Sequence, residues 1–223
     1  VAMDSPAPSD CSTLARLGER VRNRLDSTHS VRRLADARAE IYAVDSFLDA
    51  DCCAHLIKLI DAQATPSCLV DDSERRDTRT SSSSDIDPQD RVVRQLEARL
   101  CALTGLSGRR SEAVQGQRYE CGQFFREHCD WFDTTADYWS REKSCGGQRS
   151  WTAMVYLNAV EEGGSTEFTR LPLTISPWTG GLLLWNNARP DGHPNPFTLH
   201  AARPVLRGCK YIVTKWFRTH TWQ

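Results

Sequence analysis

The chain has 223 residues, with 28 Lys and Arg against 29 Asp and Glu for a net charge of −1, and 39% hydrophobic residues including 7 Trp. That length supports one domain with a substantial core, and the near-neutral charge carries no polyanion-binding signature, so nucleic acid is not an expected partner. No apolar run approaches the ~20 residues needed to span a bilayer, so no membrane segment is expected.

Taken in chain order, residues 11–24 and 31–39 intersperse charged residues with Leu, Val and Ala, which predicts two short amphipathic helices and a helical extension over residues 1–40. Residues 41–44 read as a strand, and Asp49-Ala50-Asp51 caps a helix through residues 52–60. Residues 71–87 hold four consecutive serines, several charges and little apolar content, which predicts a flexible loop. A further helix starts at Asp87-Pro88 and runs to Thr104, with Val92, Val93, Leu96, Leu100 and Leu103 on one face. Helices over residues 49–105 would then cover one sheet. From residue 111 to 219 the pattern changes to short strands and tight turns. Gly163-Gly164 and Gly180-Gly181 are read as turns, the latter before the apolar run Leu182-Leu183-Leu184-Trp185. The expected class is α+β, mainly β, with residues 41–223 as one domain.

His128-Cys129-Asp130 carries the chemistry. In an extended strand residues 128 and 130 point to one side while Cys129 points away, so both can reach one ion. His200, in the run Phe197-Thr198-Leu199-His200-Ala201, is a candidate third ligand, and a β-barrel or double-sheet jelly roll would return that segment beside the first. Two imidazoles and a carboxylate on one face of a metal, with other positions open, are the ligand set of non-haem Fe(II) oxygenases. Lys210 follows ten residues later in a run rich in β-branched and aromatic residues, which reads as a strand with Lys210 and Ile212 on one face. An inward lysine requires an anion; an outward one would be solvated.

Nine cysteines are an odd number without paired C-x-x-C knuckles, which favours thiols in a reducing compartment over a disulfide framework. Val1 to Pro6 has no charged and apolar signal pattern, so a cytoplasmic location is expected, although a leader removed upstream would leave no trace.

The segment from about Glu112 to Trp216 resembles the catalytic domain of the 2-oxoglutarate- and Fe(II)-dependent prolyl 4-hydroxylases of the collagen and plant type. His128-x-Asp130, His200 and Lys210 match that family's ligand triad and cosubstrate lysine in type and spacing. Arg118-Tyr119-Glu120-Cys121-Gly122-Gln123 is similar to the family's R-Y-x-x-G-Q strand. Residues 149–158 resemble the central strand that ends in Y-L-N. Glu161-Glu162-Gly163-Gly164-Ser165-Thr166-Glu167-Phe168 is similar to E-E-G-G-E-T-x-F. The oxygen-sensing branch, with an Arg near position 210, fits less well.

The resemblance implies a double-stranded β-helix, or jelly roll, with supporting N-terminal helices. It implies iron held by His128, Asp130 and His200, and 2-oxoglutarate held by Tyr119, Thr166 and Lys210. Arg79 and Ser81, in an R-T-S segment, and Glu112, Arg149 and Trp216 fall at substrate-contact positions. The expected activity is hydroxylation of a prolyl residue in a peptide or protein, giving 4-hydroxyproline, succinate and CO2, with ascorbate as reductant. Asp130 itself favours hydroxylation, because related halogenases carry a small residue at that position. Two alternatives stay open at this point. One is the same chemistry on another peptide side chain, a free amino acid or a small metabolite, and the other is a non-catalytic jelly-roll binding module. The sequence does not specify an oligomeric state.

Overall fold

The computed structural model describes residues 8–67 and 78–223. The N-terminal part holds α1 (Pro8–Asp26), β1 (Val31–Arg33), β2 (Ile41–Val44), α2 (Ala50–Gln63), β3 (Thr65–Pro66), β4 (Ser82–Asp85) and α3 (Arg91–Thr104). Next come β5 (Gln115–Tyr119), β6 (Phe125–His128), α4 (Trp139–Cys145), β7 (Arg149–Tyr156), β8 (Glu162–Gly163) and β9 (Thr166–Phe168). The chain closes with β10 (Leu173–Ile175), β11 (Leu182–Asn186), β12 (His200–Ala202), β13 (Val205–Arg207) and β14 (Lys210–Arg218).

Eight strands form a major sheet in the order β1-β2-β11-β7-β14-β5-β4-β3, and four form a minor sheet, β10-β9-β12-β6; every pairing is antiparallel. This is the expected helix-supported jelly roll. Strand periodicity explains why the major sheet is apolar on both faces. Trp151, Ala153 and Val155 of β7, Leu182 and Leu184 of β11, and Val213 and Phe217 of β14 pack with the apolar stripes of α1, α2 and α3. Their alternates Met154, Tyr156, Leu183, Trp185 and Ile212 point between the sheets, where they meet Tyr119, Phe168 and Val205. The inter-sheet space is therefore lined from known register positions, and the site lies there.

The helices are fixed at their ends. Asp49 caps α2 by accepting from Cys52 N at 2.7 Å, as anticipated. Helix α3 begins later than expected, because Asp87-Pro88 forms a turn and Asp90 is the residue that accepts from Val92 N and Val93 N. Its last carbonyls, on Ala102, Leu103 and Gly105, accept from Arg20 and Arg24 of α1, the favourable cation position at a helix C-terminus. Helix α2 reaches β5 at Gly116, where a Cβ would stand 2.4 Å from Ile60 Cγ1.

Two other expectations are corrected. Residues 31–39 form no helix: Val31–Arg33 is an edge strand on β2, followed by a turn in which Arg38 binds Asp36, because the open edge of β2 offers main-chain partners and Val31 and Leu34 are the segment's only large apolar residues. Part of the serine run expected as a loop is strand β4, paired between β3 and β5, with Ser81 and Ser84 buried. Main-chain pairing, blind to side-chain polarity, outweighs composition there; residues 71–77 of the same expected loop lie outside the described residues. Residues 196–198 are a 3-10 turn, so the strand carrying His200 starts at His200. Gly163 and Gly164 do take the left-handed φ values of 78° and 68° that the turn reading required. The thiols of Cys52, Cys53, Cys101, Cys121, Cys145 and Cys209 are not joined in disulfides.

Candidate active site

Register places the metal-ligand candidates. In the minor sheet His200 of β12 lies directly opposite His128 of β6, and cross-strand neighbours of an antiparallel pair share a face. Strand β6 ends at His128, so Asp130 reaches the same point from a bend just beyond the strand rather than from within it. One ligand atom from each of His128, Asp130 and His200 lies within 4.8 Å of the others, and this is the one such cluster among the described residues.

Each ligand is oriented from behind. His128 Nδ1 faces Arg126 O at 2.8 Å and His200 Nδ1 faces Thr198 O at 2.9 Å, so both rings donate from Nδ1 and leave Nε2 as the lone pair toward the ion. Thr152 donates to Asp130 Oδ2 at 2.8 Å and itself accepts from Asn187 Nδ2 at 3.0 Å. Phe125 stacks on His128 at 3.6 Å, and Trp185 meets His200 edge-on at 4.9 Å. Burial and the neighbouring His200 hold His128 below the usual imidazole range. Burial pushes the Asp130 carboxyl upward, yet the two histidines, Arg149 and the facing Trp216 indole hold it below the usual range. Neutral imidazoles and an ionised carboxylate are the protonation states that ligate a divalent cation.

A buried cation stands in the same inter-sheet space. Lys210 of β14 is paired with Tyr119 of β5 in the major sheet and is 1% exposed. Among the described residues its Nζ has no hydrogen-bond partner, and it sits 5.3 Å and 5.5 Å from the ring centroids of Tyr119 and Tyr156. Desolvation alone lowers its pKa to about 7. Thr166 is buried nearby and accepts from the Tyr156 hydroxyl at 2.6 Å. An unpartnered buried ammonium amid hydroxyls fits a carboxylate guest, whose charge would be matched only by this lysine.

Glu112, Arg149 and Trp216 gather on the other side of Asp130. Arg149 forks onto Glu112 with two 2.7 Å bonds and lies over the Trp216 ring at 4.0 Å. Arg218, fully buried, joins Glu112 at 2.8 Å and Glu142 of α4 at 3.1 Å. The Trp216 indole faces Asp130 from this side. Arg79 donates to Ser81 at 2.9 Å and lies over Phe125 at 5.0 Å, and both residues face the Tyr119 hydroxyl.

The eleven expected site residues are thus linked through these contacts either to the His128, Asp130 and His200 cluster or to the surroundings of Lys210. Sequence reasoning missed Tyr156, Thr152, Asn187, Arg218 and Glu142. The inward parity of β7, already implied by alternation, could have identified Thr152 and Tyr156. Asn187, Arg218 and Glu142 act through long-range contacts with no local signature.

A family model described as the 2OG-Fe(II) oxygenase superfamily matches residues 114–218. The chain is 31% identical over 212 residues to the Arabidopsis thaliana protein called "Probable prolyl 4-hydroxylase 10", covering 84% of this chain and 71% of that protein. It is 32% identical over 209 residues to prolyl 4-hydroxylase 5 of the same plant, covering 83% and 69%. Among solved structures, the 2OG complex of a viral collagen prolyl hydroxylase from Paramecium Bursaria Chlorella virus-1 superposes with a TM-score of 0.62 at 29% identity, over 80% of this chain and 95% of that one.

Proposed function

Because the chain belongs to the 2OG-Fe(II) oxygenase superfamily, in its prolyl 4-hydroxylase branch, we propose that it hydroxylates a prolyl residue of a peptide or protein, consuming O2 and 2-oxoglutarate and releasing succinate and CO2. The observation that carries this reading is the occurrence together of the His128, Asp130 and His200 cluster and the buried ammonium of Lys210, unpartnered among the described residues. One holds a cation with open positions; the other waits for an anion.

In this reading His128, Asp130 and His200 hold Fe(II), and Lys210, Tyr119 and Thr166 hold the carboxylate of 2-oxoglutarate remote from the metal. Iron with 2-oxoglutarate, when bound, supplies the oxidising power to take hydrogen from an unactivated carbon and return hydroxyl. The protein positions and shields. Trp185 and Phe168 wall off His200, while Thr152 and Asn187 keep Asp130 aimed at the metal position. Excluding water there protects a reactive site from side reactions.

The substrate side fits a peptide. Trp216 stands beside Asp130 with an aromatic ring, a surface that suits an apolar prolyl ring. Arg149, Glu112, Arg79 and Ser81 are assigned with it as substrate contacts. Ascorbate is assigned as the reductant that keeps the iron ferrous.

The test is succinate release by iron-replete protein, with and without proline-rich peptides, together with peptide mass. Succinate formed only with peptide, and a gain of one oxygen on proline, is the expected result. Turnover driven instead by a free amino acid or metabolite moves the substrate class, and no succinate under any condition leaves a binding module.

A further inference from the structure

Strand β5 sends Gln115, Gln117 and Tyr119, two residues apart, to the same face. Their polar ends form one continuous line. Tyr119 donates its hydroxyl to Gln117 Oε1 at 2.9 Å. The Gln117 amide nitrogen donates to Thr214 Oγ1 at 3.2 Å and to Gln115 Oε1 at 3.3 Å, and that oxygen also accepts from Arg79 Nη2 at 3.4 Å. Gln117 is 5% exposed and Tyr119 1%, so bulk water does not stand in for any of these partners.

A phenol has a single hydrogen to give, and a carboxylate only accepts. Tyr119 lies opposite Lys210, whose Nζ has no partner among the described residues. A carboxylate seated on that lysine therefore asks for the same hydrogen that Gln117 already receives. We propose that Gln117 is a positioning residue that competes with the distal carboxylate of 2-oxoglutarate for the hydroxyl hydrogen of Tyr119, and so sets the cosubstrate affinity. The proposal rests on the cosubstrate reading given above. When Tyr119 turns to the cosubstrate, the amide oxygen of Gln117 is left buried without a donor, a penalty that weakens binding. The same line ends on Arg79, which lies over Phe125, which stacks on His128. The competition is thus wired to the substrate side and to a metal ligand.

The test measures 2-oxoglutarate binding by calorimetry on Mn(II)-loaded, oxygen-free protein, where no turnover occurs. Gln117→Leu and Gln117→Met, which lack the acceptor, are expected to bind about fivefold to tenfold more tightly than wild type. Gln117→Glu, a stronger acceptor at the same place, is expected to bind at least about tenfold more weakly. Tyr119→Phe should cost more affinity in the Gln117→Leu background than in wild type. Opposite signs from the two kinds of variant cannot come from general disruption of the pocket. Equal or weaker binding by both Gln117→Leu and Gln117→Met overturns the competition while leaving the cosubstrate reading intact. Failure of wild type to bind 2-oxoglutarate, or undiminished binding by Lys210→Met, overturns both.

Discussion

Two buried charge systems flank the metal-ligand cluster, and they are built oppositely. On the side proposed for the substrate, Arg149, Arg218, Glu112 and Glu142 are all paired within the protein, and the Glu112 carboxyl stays below its usual range because the two arginines outweigh its desolvation. On the side proposed for the cosubstrate, Lys210 has aromatic rings and hydroxyls around it and, among the described residues, no counter-charge. A closed network holds shape, whereas an unmatched charge is unfavourable until a ligand arrives. The difference separates structure from binding more sharply than burial does, since both systems are buried.

The largest effect comes from removing what both systems serve. Asp130→Ala should abolish peptide hydroxylation, a loss of at least about a thousandfold, because the metal loses its anionic ligand; near-normal mass shift in peptide assays removes that role. Next, Lys210→Met should raise the 2-oxoglutarate requirement about a hundredfold while peptide binding changes little. It should also stabilise the ligand-free protein. The folded value of Lys210, about 7, lies below the ordinary 10.5, so the unfolded chain binds the extra proton between those values. The penalty of burying it is therefore full below pH 7 and is relieved as pH rises toward 10.5. Melting temperatures of the ligand-free variant and wild type should differ more at about pH 6.5 than at about pH 9.5, and an equal difference contradicts an unpaired lysine.

Breaking the paired system gives the reverse pattern. Glu112→Ala strands two buried arginines and should destabilise the fold by about 3–5 kcal/mol, measured in urea, with or without 2-oxoglutarate. Stabilisation, as for the lysine variant, would erase the contrast. The smallest effect is the control: Arg207–Glu161 is a 2.8 Å pair with both side chains about two-thirds exposed, and Arg207→Ala should shift stability by less than about 1 kcal/mol.

Much of this site was readable before any coordinates. The triad and Lys210 announce themselves because ligand chemistry restricts residue type and because strand parity fixes which side chains face together. Bringing residues 128 and 200 to one ion calls for a β-barrel or a jelly roll, and the resemblance to the hydroxylases selects the jelly roll. What escaped is whatever depends on long-range pairing. The serines of β4 look like a loop because their order comes from the β5 main chain. Residues 31–33 look helical by charge spacing, yet they lie where β2 offers an open edge. Arg218 and Glu142, 76 residues apart, meet only because β14 and α4 close over the same corner.

Strand β14 reads as a ruler laid across the catalytic space. Its inner marks run Lys210, Ile212, Thr214, Trp216 and Arg218, from the end that would grip a diacid to the end that would grip a peptide. Its outer marks are Tyr211, Val213, Lys215 and Phe217, tied to the helices through Asp61, Glu97 and apolar packing. Losing one residue from the connection after His200 would exchange the two sets along the entire length. Both ends of the reaction would fail together, and the interval between His200 and Lys210 is as much a part of the active site as either side chain.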